Sequence, residues 1–352
     1  MSAAPSREAL RKLSEDYYDL NGSFIETLDT PPSPLQFSRL IHVSRPVIIK
    51  GWLLLVYILS NIDILNSGHD VPPLTRWSDQ YLCERMGDHP VSIAVTPDGR
   101  ADAVTKGPDD KLYFVEPHVE GMTMSNFLAK LDVLYLQSQN GNVYTDRTFE
   151  EEDDPSEFDP LRDDIPKDVP WCTEAVDRSP DAVNLWIGDG RSVTSIHNDP
   201  YENIYTVVRG QKHFILLPPT DGWCMQERLY PHARYTRHRP DAPLSLQPSI
   251  DAPPVRWASI PDPHIDPETA FPPEVHPLFV TLNAGDTLYL PAGWWHHVRQ
   301  SGLTIALNWW YDVEMRGMTW ALLSFLRGSN DVPPGNASDA GSSEEIDAPL
   351  EL

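Results

Sequence analysis

Two short stretches, far apart in the chain, carry side chains suited to holding a metal ion. His197-Asn198-Asp199 closes a strand-like segment. Residues i and i+2 of a strand share a face, so this imidazole and this carboxylate can look into one interior. The second stretch is Leu290-Pro291-Ala292-Gly293-Trp294-Trp295-His296-His297, in which a strand ends at Pro291, Gly293 permits a tight bend and a histidine pair follows. Two histidines and one carboxylate make the facial triad that leaves neighbouring positions open on a non-haem iron(II). A lone His-x-Asp is common on solvent-facing strands; its weight here comes from the second segment in an all-β setting. Strand alternation alone does not choose between His296 and His297.

Two further polar residues bear on such a site. An acidic cosubstrate needs a cation at the far end of its pocket, and Lys212 occupies the next predicted strand, although a lysine there is ordinarily a surface residue. Asn308 interrupts the apolar run Thr304–Trp310. A polar amide in a core strand must be satisfied, either by a group bound at the site or by a structural hydrogen bond.

The elements that must position these residues are mostly short strands. Alternation and β-branched content predict strands over 45–51, 91–99, 133–139, 182–188, 192–199, 203–210, 211–219, 278–283, 286–291 and 304–312, with a tight turn at Gly210-Gln211. Helices are predicted over 6–20, capped by Ser6; after Thr123, with Met124, Phe127, Leu128 and Leu131 on one face; and over 313–327. The pattern predicts a mainly β fold, a double-sheet jelly roll or cupin-like barrel. Residues 1–44 form an N-terminal helical region and 45–312 the barrel, with loop insertions near 52–70, 140–170 and 220–275. Residues 313–327 form a C-terminal helix, and 328–352 a disordered acidic tail. The acidic, proline-rich stretch 149–168 reads as an exposed loop.

Composition narrows the function. The 352 residues are 40% hydrophobic, enough for a sizeable core, and the 35 prolines concentrate in the non-periodic segments. A net charge of -25 argues against nucleic acid or an anionic membrane as partner and suits a basic protein segment. Cys83, Cys172 and Cys224 are too scattered for a disulfide framework or a zinc module. The apolar run 52–65, broken by Ser60, Asn61 and Asp63, is short for a membrane span. An intracellular, cytoplasmic or nuclear protein is expected.

The segments 94–104, 133–139, 180–188, 193–219, 288–298 and 307–312 together resemble the JmjC (cupin-8) oxygenase family, over about residues 6 to 327. The block from His197-Asn198-Asp199 to Lys212-His213-Phe214 is the most specific part. The resemblance implies a double-stranded β-helix core with flanking α-helices, and iron ligation by His197, Asp199 and His296, which favours His296 over His297. It places the distal carboxylate of 2-oxoglutarate on Lys212, helped by the hydroxyls of Thr194 and Tyr135. Asn203 and Asn308 then line the active site, and Trp310 flanks it. The implied enzyme is a dioxygenase using Fe(II), 2-oxoglutarate and O2, supported by ascorbate. It would hydroxylate C3 of a lysine in a protein such as a developmentally regulated GTP-binding protein, with a second copy of the chain as a further partner. A histone lysine demethylase and a non-catalytic cupin interaction module are the alternatives. The absence of a cysteine-rich reader module weighs against the first, and the completeness of the residue set against the second. No hydrolytic constellation is visible. The stretch 52–70 is longer than the resemblance leads one to expect.

Overall fold

Seven strands position the site: β1 (Val47–Lys50), β2 (Ala182–Gly188), β3 (Val193–His197), β4 (Tyr201–Leu217), β5 (Leu278–Asn283), β6 (Asp286–Leu290) and β7 (Trp295–Asp312). The structure is a computed structural model describing residues 6–52, 77–130, 134–137, 142–150, 153–239, 242–260, 262–265, 267–314, 316–328 and 332–336. β4 and β7 pair antiparallel along their whole length, from Tyr201 opposite Asp312 to Leu217 opposite Trp295. The first half of β4 also takes β6, and its second half takes β5. The second half of β7 also takes β2, while its start takes β3. β1 adds to the free edge of β6. The result is two sheet halves, β1-β6-β4-β7-β2 and β5-β4-β7-β3, that share two long strands and enclose an interior. This is the jelly roll expected from the sequence, with helices outside it.

Sharing a strand between two halves requires a bend, and Gly210 supplies it. Its φ is +80°, and a Cβ there would lie 2.4 Å from Thr304 Oγ1 and 2.6 Å from the Leu303 carbonyl oxygen, so only glycine fits. The β4–β7 register shifts on both sides of Arg209. The predicted tight turn at Gly210-Gln211 is therefore corrected: one bulged strand replaces two strands and a turn. A bulge changes which alternate residues face inward. Asn203 and Tyr205 before it, and Lys212 and Phe214 after it, accordingly line one cavity despite their opposite parity.

The main apolar core lies outside the barrel, between the first sheet half and the helices Pro34–Val43 and Pro170–Val176. There Phe37 meets Trp171 and Tyr289 edge-on, with ring centroids 4.6 and 4.9 Å apart. Trp52 belongs to this core and donates to Thr206 Oγ1 at 3.1 Å. The remainder of the predicted 52–70 insertion lies outside the described residues. Helix Arg7–Asn21 carries the predicted Ser6 cap, which accepts from the Ala9 N–H at 3.2 Å. It docks through Ser14, whose hydroxyl donates to the Thr220 carbonyl oxygen at 3.0 Å.

Three stretches differ from the sequence expectations. The acidic stretch 149–168 is not simply exposed: Phe158, Leu161 and Ile165 are buried in the main core, because apolar residues at spacings of three and four anchor it despite the surrounding charge. Within 220–275 the chain forms real structure. Arg228–Tyr230 pairs with Val255–Trp257, and His232–Thr236 joins a four-stranded sheet. Residues 332–336 of the acidic tail lie along Leu229, with backbone hydrogen bonds at Pro333 and Gly335. The C-terminal helix spans Met318–Arg327, with Met318, Leu322 and Phe325 exposed. Among the described residues, no helix is long and apolar enough to cross a membrane.

Candidate metal centre

The two chemically distinctive segments meet because β3 and β7 are neighbours. His197 at the end of β3 lies opposite His296 at the start of β7. The two loops are tied together: the Gly293 N–H donates to the Asp199 carbonyl oxygen at 2.8 Å, and Asn198 Nδ2 donates to the Gly293 carbonyl oxygen at 3.3 Å. Gly293 takes φ +79°, as the predicted bend requires, and a Cβ there would strike Leu323 at 2.4 Å.

These constraints bring three donor atoms to one point. Asp199 Oδ2 lies 3.8 Å from His197 Nε2 and 3.7 Å from His296 Nε2. His197 Nδ1 faces the Ser195 carbonyl oxygen at 2.9 Å, and His296 Nδ1 faces that of Trp294 at 3.0 Å. A carbonyl only accepts, so each Nδ1 carries the proton and each Nε2 is left with a lone pair aimed at the common point. Burial, and then the neighbouring His197, push the pKa of His296 down to about 4, with Asp199 opposing, so its imidazole is neutral at ordinary pH. Two imidazoles and one carboxylate, with separations of 3.7 to 3.8 Å, form a donor set that fits a divalent iron ion.

Behind the triad is a small cavity. Thr194, Asn203, Lys212 and Asn308 line it together with His197, Asp199, His296 and Trp310. Lys212 is 3% exposed, and burial lowers its pKa to about 7. An anion placed beside it would restore its charge, which fits a dicarboxylate. The Nε1 of Trp310 is buried and has no hydrogen-bond partner among the described residues, while its ring stacks on Tyr201 at 5.1 Å. Tyr135 sits on strand Leu134–Gln137, paired with Ala94, but its side chain lies outside the described residues.

Each polar atom of the Asn308 side chain finds a partner among its neighbours. Its Oδ1 accepts from Trp186 Nε1 at 2.7 Å, and its Nδ2 donates to Asn203 Oδ1 at 3.1 Å. This chain of amides and indole forms one wall of the cavity. Sequence reasoning missed Trp186 and also Tyr205, Phe214, Leu290 and Val298, which complete the lining. A signal for Trp186 existed: it lies two residues from Asn184, which pairs with Asn308. None existed for Trp257, whose ring lies parallel to His197 at 5.8 Å. It comes from the proline-rich excursion, where no periodicity gives its direction.

A second opening flanks His197 and Asp199 on their outer side. It is lined by Phe114 and Trp257, by the carboxylates of Asp102 and Glu116, and by the Glu227–Arg256 ion pair, whose charged atoms are 2.5 Å apart.

Comparison with known proteins agrees with this geometry. A family profile described as a Cupin-like domain matches residues 32–317. The chain is 37% identical, over 80% of its length and 82% of the relative's, to a human protein named bifunctional peptidase and (3S)-lysyl hydroxylase JMJD7. The chain belongs to the JmjC cupin-like family. It is also 38% identical to the Arabidopsis thaliana lysine-specific demethylase JMJ32, over 82% of this chain and 81% of that one. To JmjC domain-containing protein E of Dictyostelium discoideum it is 29% identical, over 81% and 82% respectively. JmjC proteins are 2-oxoglutarate oxygenases that generally depend on iron(II), and this chain shares their fold and has a His-Asp-His cluster that could hold such an ion.

Proposed function

We propose that this chain is an iron(II)- and 2-oxoglutarate-dependent protein hydroxylase acting on a lysine side chain. The observation that carries the reading is the convergence of His197 Nε2, His296 Nε2 and Asp199 Oδ2, with both imidazole tautomers fixed from behind. These three residues would hold the iron and Lys212 the distal carboxylate of the cosubstrate, with Thr194 and Tyr135 supplying hydroxyls. When bound, iron and 2-oxoglutarate supply the oxidising chemistry, in which one oxygen atom of O2 enters the product and the other enters succinate. The protein's own contribution is orientation and the exclusion of water. The Trp186–Asn308–Asn203 chain holds one cavity wall rigid, and Phe214, Val298 and Leu290 keep the interior apolar.

The outer opening suits a cationic side chain. Phe114 and Trp257 offer ring faces to an alkyl stem, and Asp102 and Glu116 offer carboxylates to its ammonium. The human relative's name supports lysine hydroxylation at C3, and a developmentally regulated GTP-binding protein is the substrate we put forward. The Arabidopsis relative's name favours a second reading, removal of a methyl group from lysine, which the same centre can perform. Mass spectrometry separates the two. Lysine and methyl-lysine peptides are incubated with the chain, iron(II) and 2-oxoglutarate. A gain of one oxygen on the unmodified lysine is expected; loss of a methyl group without that gain would overturn the hydroxylase reading in favour of the demethylase.

A further inference from the structure

The residue that follows His296 is the centre of a second cluster. Alternation along β7 turns His297 away from the cavity, opposite Ile215, where it is 2% exposed. There it meets Asp262 and His264, which come from the chain segment following Trp257. His264 Nδ1 lies 2.9 Å from His297 Nδ1; Asp262 Oδ1 lies 3.4 Å from His297 Nε2 and 4.0 Å from His264 Nδ1. One donor atom from each residue falls within 4.8 Å of the other two.

We infer that Asp262, His264 and His297 form a second metal site, distinct from the barrel triad, that takes a zinc-type divalent ion in a structural role. Donors about 2.0–2.2 Å from a tetrahedral zinc stand roughly 3.3 Å apart; the 3.4 Å between Asp262 Oδ1 and His297 Nε2 suits such an ion, while the 4.0 Å from Asp262 Oδ1 to His264 Nδ1 is wider and would close when an ion binds. A carboxylate bonded directly to an imidazole N–H would close to about 2.7–2.9 Å. The carboxylate is also held from behind, as metal ligands usually are. Arg299 grips Asp262 Oδ2 through its Nε at 2.9 Å, and the His264 backbone N–H donates to Oδ1 at 3.0 Å, leaving Oδ1 a further lone pair. The side chains of Asp262 and His264 retain 12% and 19% exposure, enough to admit a water as fourth ligand. An ion here staples the segment behind Trp257 to the strand that carries His296. It would thereby steady the aromatic wall stacked on His197.

The test separates this site from the barrel triad. Full-length chain is stripped with a chelator, reloaded with zinc(II), desalted and analysed for metal per chain. Cobalt(II) is used in parallel as a visible-absorption probe of tetrahedral coordination. In a His197→Ala, Asp199→Ala background the triad is disabled. The expected result is one retained ion per chain, a tetrahedral cobalt spectrum and a raised thermal midpoint with zinc. Adding His264→Ala should reduce the ion to none and abolish the thermal shift. His264 sits on a part-exposed loop, and His264→Gln serves as a second variant should the alanine form fold poorly. No retained ion in the triad-disabled chain, or retention unaffected by either His264 variant, would overturn the site. None of these readouts depends on oxygenase activity.

Discussion

His296 and His297 are adjacent in the chain, yet each joins a different group of two imidazoles and one aspartate. In the inner group both Nδ1 atoms are bonded to carbonyls, the Nε2 atoms converge, and a cavity containing a buried lysine lies behind them. In the outer group the rings face one another and the carboxylate is gripped by Arg299. The inner arrangement would leave room beside an ion for small molecules, whereas the outer one joins two chain segments. The lesson is that the ligand set alone does not define chemistry. What stands behind the ligands and what space lies in front of them do.

Alanine at each histidine in turn breaks the comparison most sharply. Losing even a group that only supports a ligand typically costs 10–100-fold in activity, so His296→Ala should cost more than ~100-fold in 2-oxoglutarate turnover. His297→Ala should cost less than ~10-fold while removing the outer ion. Succinate formation and metal analysis on the same preparations check both. Equal losses of turnover would erase the distinction.

Lys212 sets the next largest effect. Its pKa falls from 10.5 to about 7 because it is buried. Between those values the unfolded chain binds the proton that the folded chain releases, so stability rises with pH across that window. Below about pH 7 both states are protonated, and the full cost of a buried ammonium is present. Lys212→Met should therefore raise the thermal midpoint, by more near pH 6 than near pH 9. The same change should raise KM for 2-oxoglutarate about 10- to 100-fold, since a hydrogen bond to a charged group contributes roughly 1.5–3 kcal/mol. A lower midpoint at pH 6, or an unchanged KM, would count against the assigned role.

Asn308→Ala removes the hydrogen bonds to the part-buried Trp186 N–H and the buried Asn203 oxygen. Denaturant unfolding should show a loss of about 1–3 kcal/mol. The smallest effect is expected at Trp257, which lines the outer opening and not the inner cavity. Trp257→Ala should raise KM for a lysine peptide several-fold, in line with about 0.5–2 kcal/mol for a cation over an aromatic face, and leave KM for 2-oxoglutarate unchanged.

Much of this molecule was legible in the sequence because alternation is a local property. Most strands of the barrel, the Ser6 and Thr123 caps and the glycine bend before His296 followed from residue type and spacing, but residues 295–303, the half of β7 that carries His296, were not expected as a strand. What alternation does not carry is the effect of an inserted residue. The bulge around Arg209 reversed the parity of β4, so no local pattern showed Lys212 and Asn203 facing one cavity. Composition misled at 149–168, where a few apolar anchors outweigh many charges. Trp257 and the Asp262–His264 pair were invisible because they lie in a proline-rich excursion whose path is set by tertiary contacts.

The central claim is that three side chains hold one iron(II) ion and thereby make the chain an oxygenase. Metal-stripped chain, given 2-oxoglutarate, O2 and a lysine peptide, should form succinate only after iron(II) is added. Asp199→Ala, folded by its thermal midpoint, should form almost none. Succinate at the wild-type rate without iron, or from Asp199→Ala, would contradict the account.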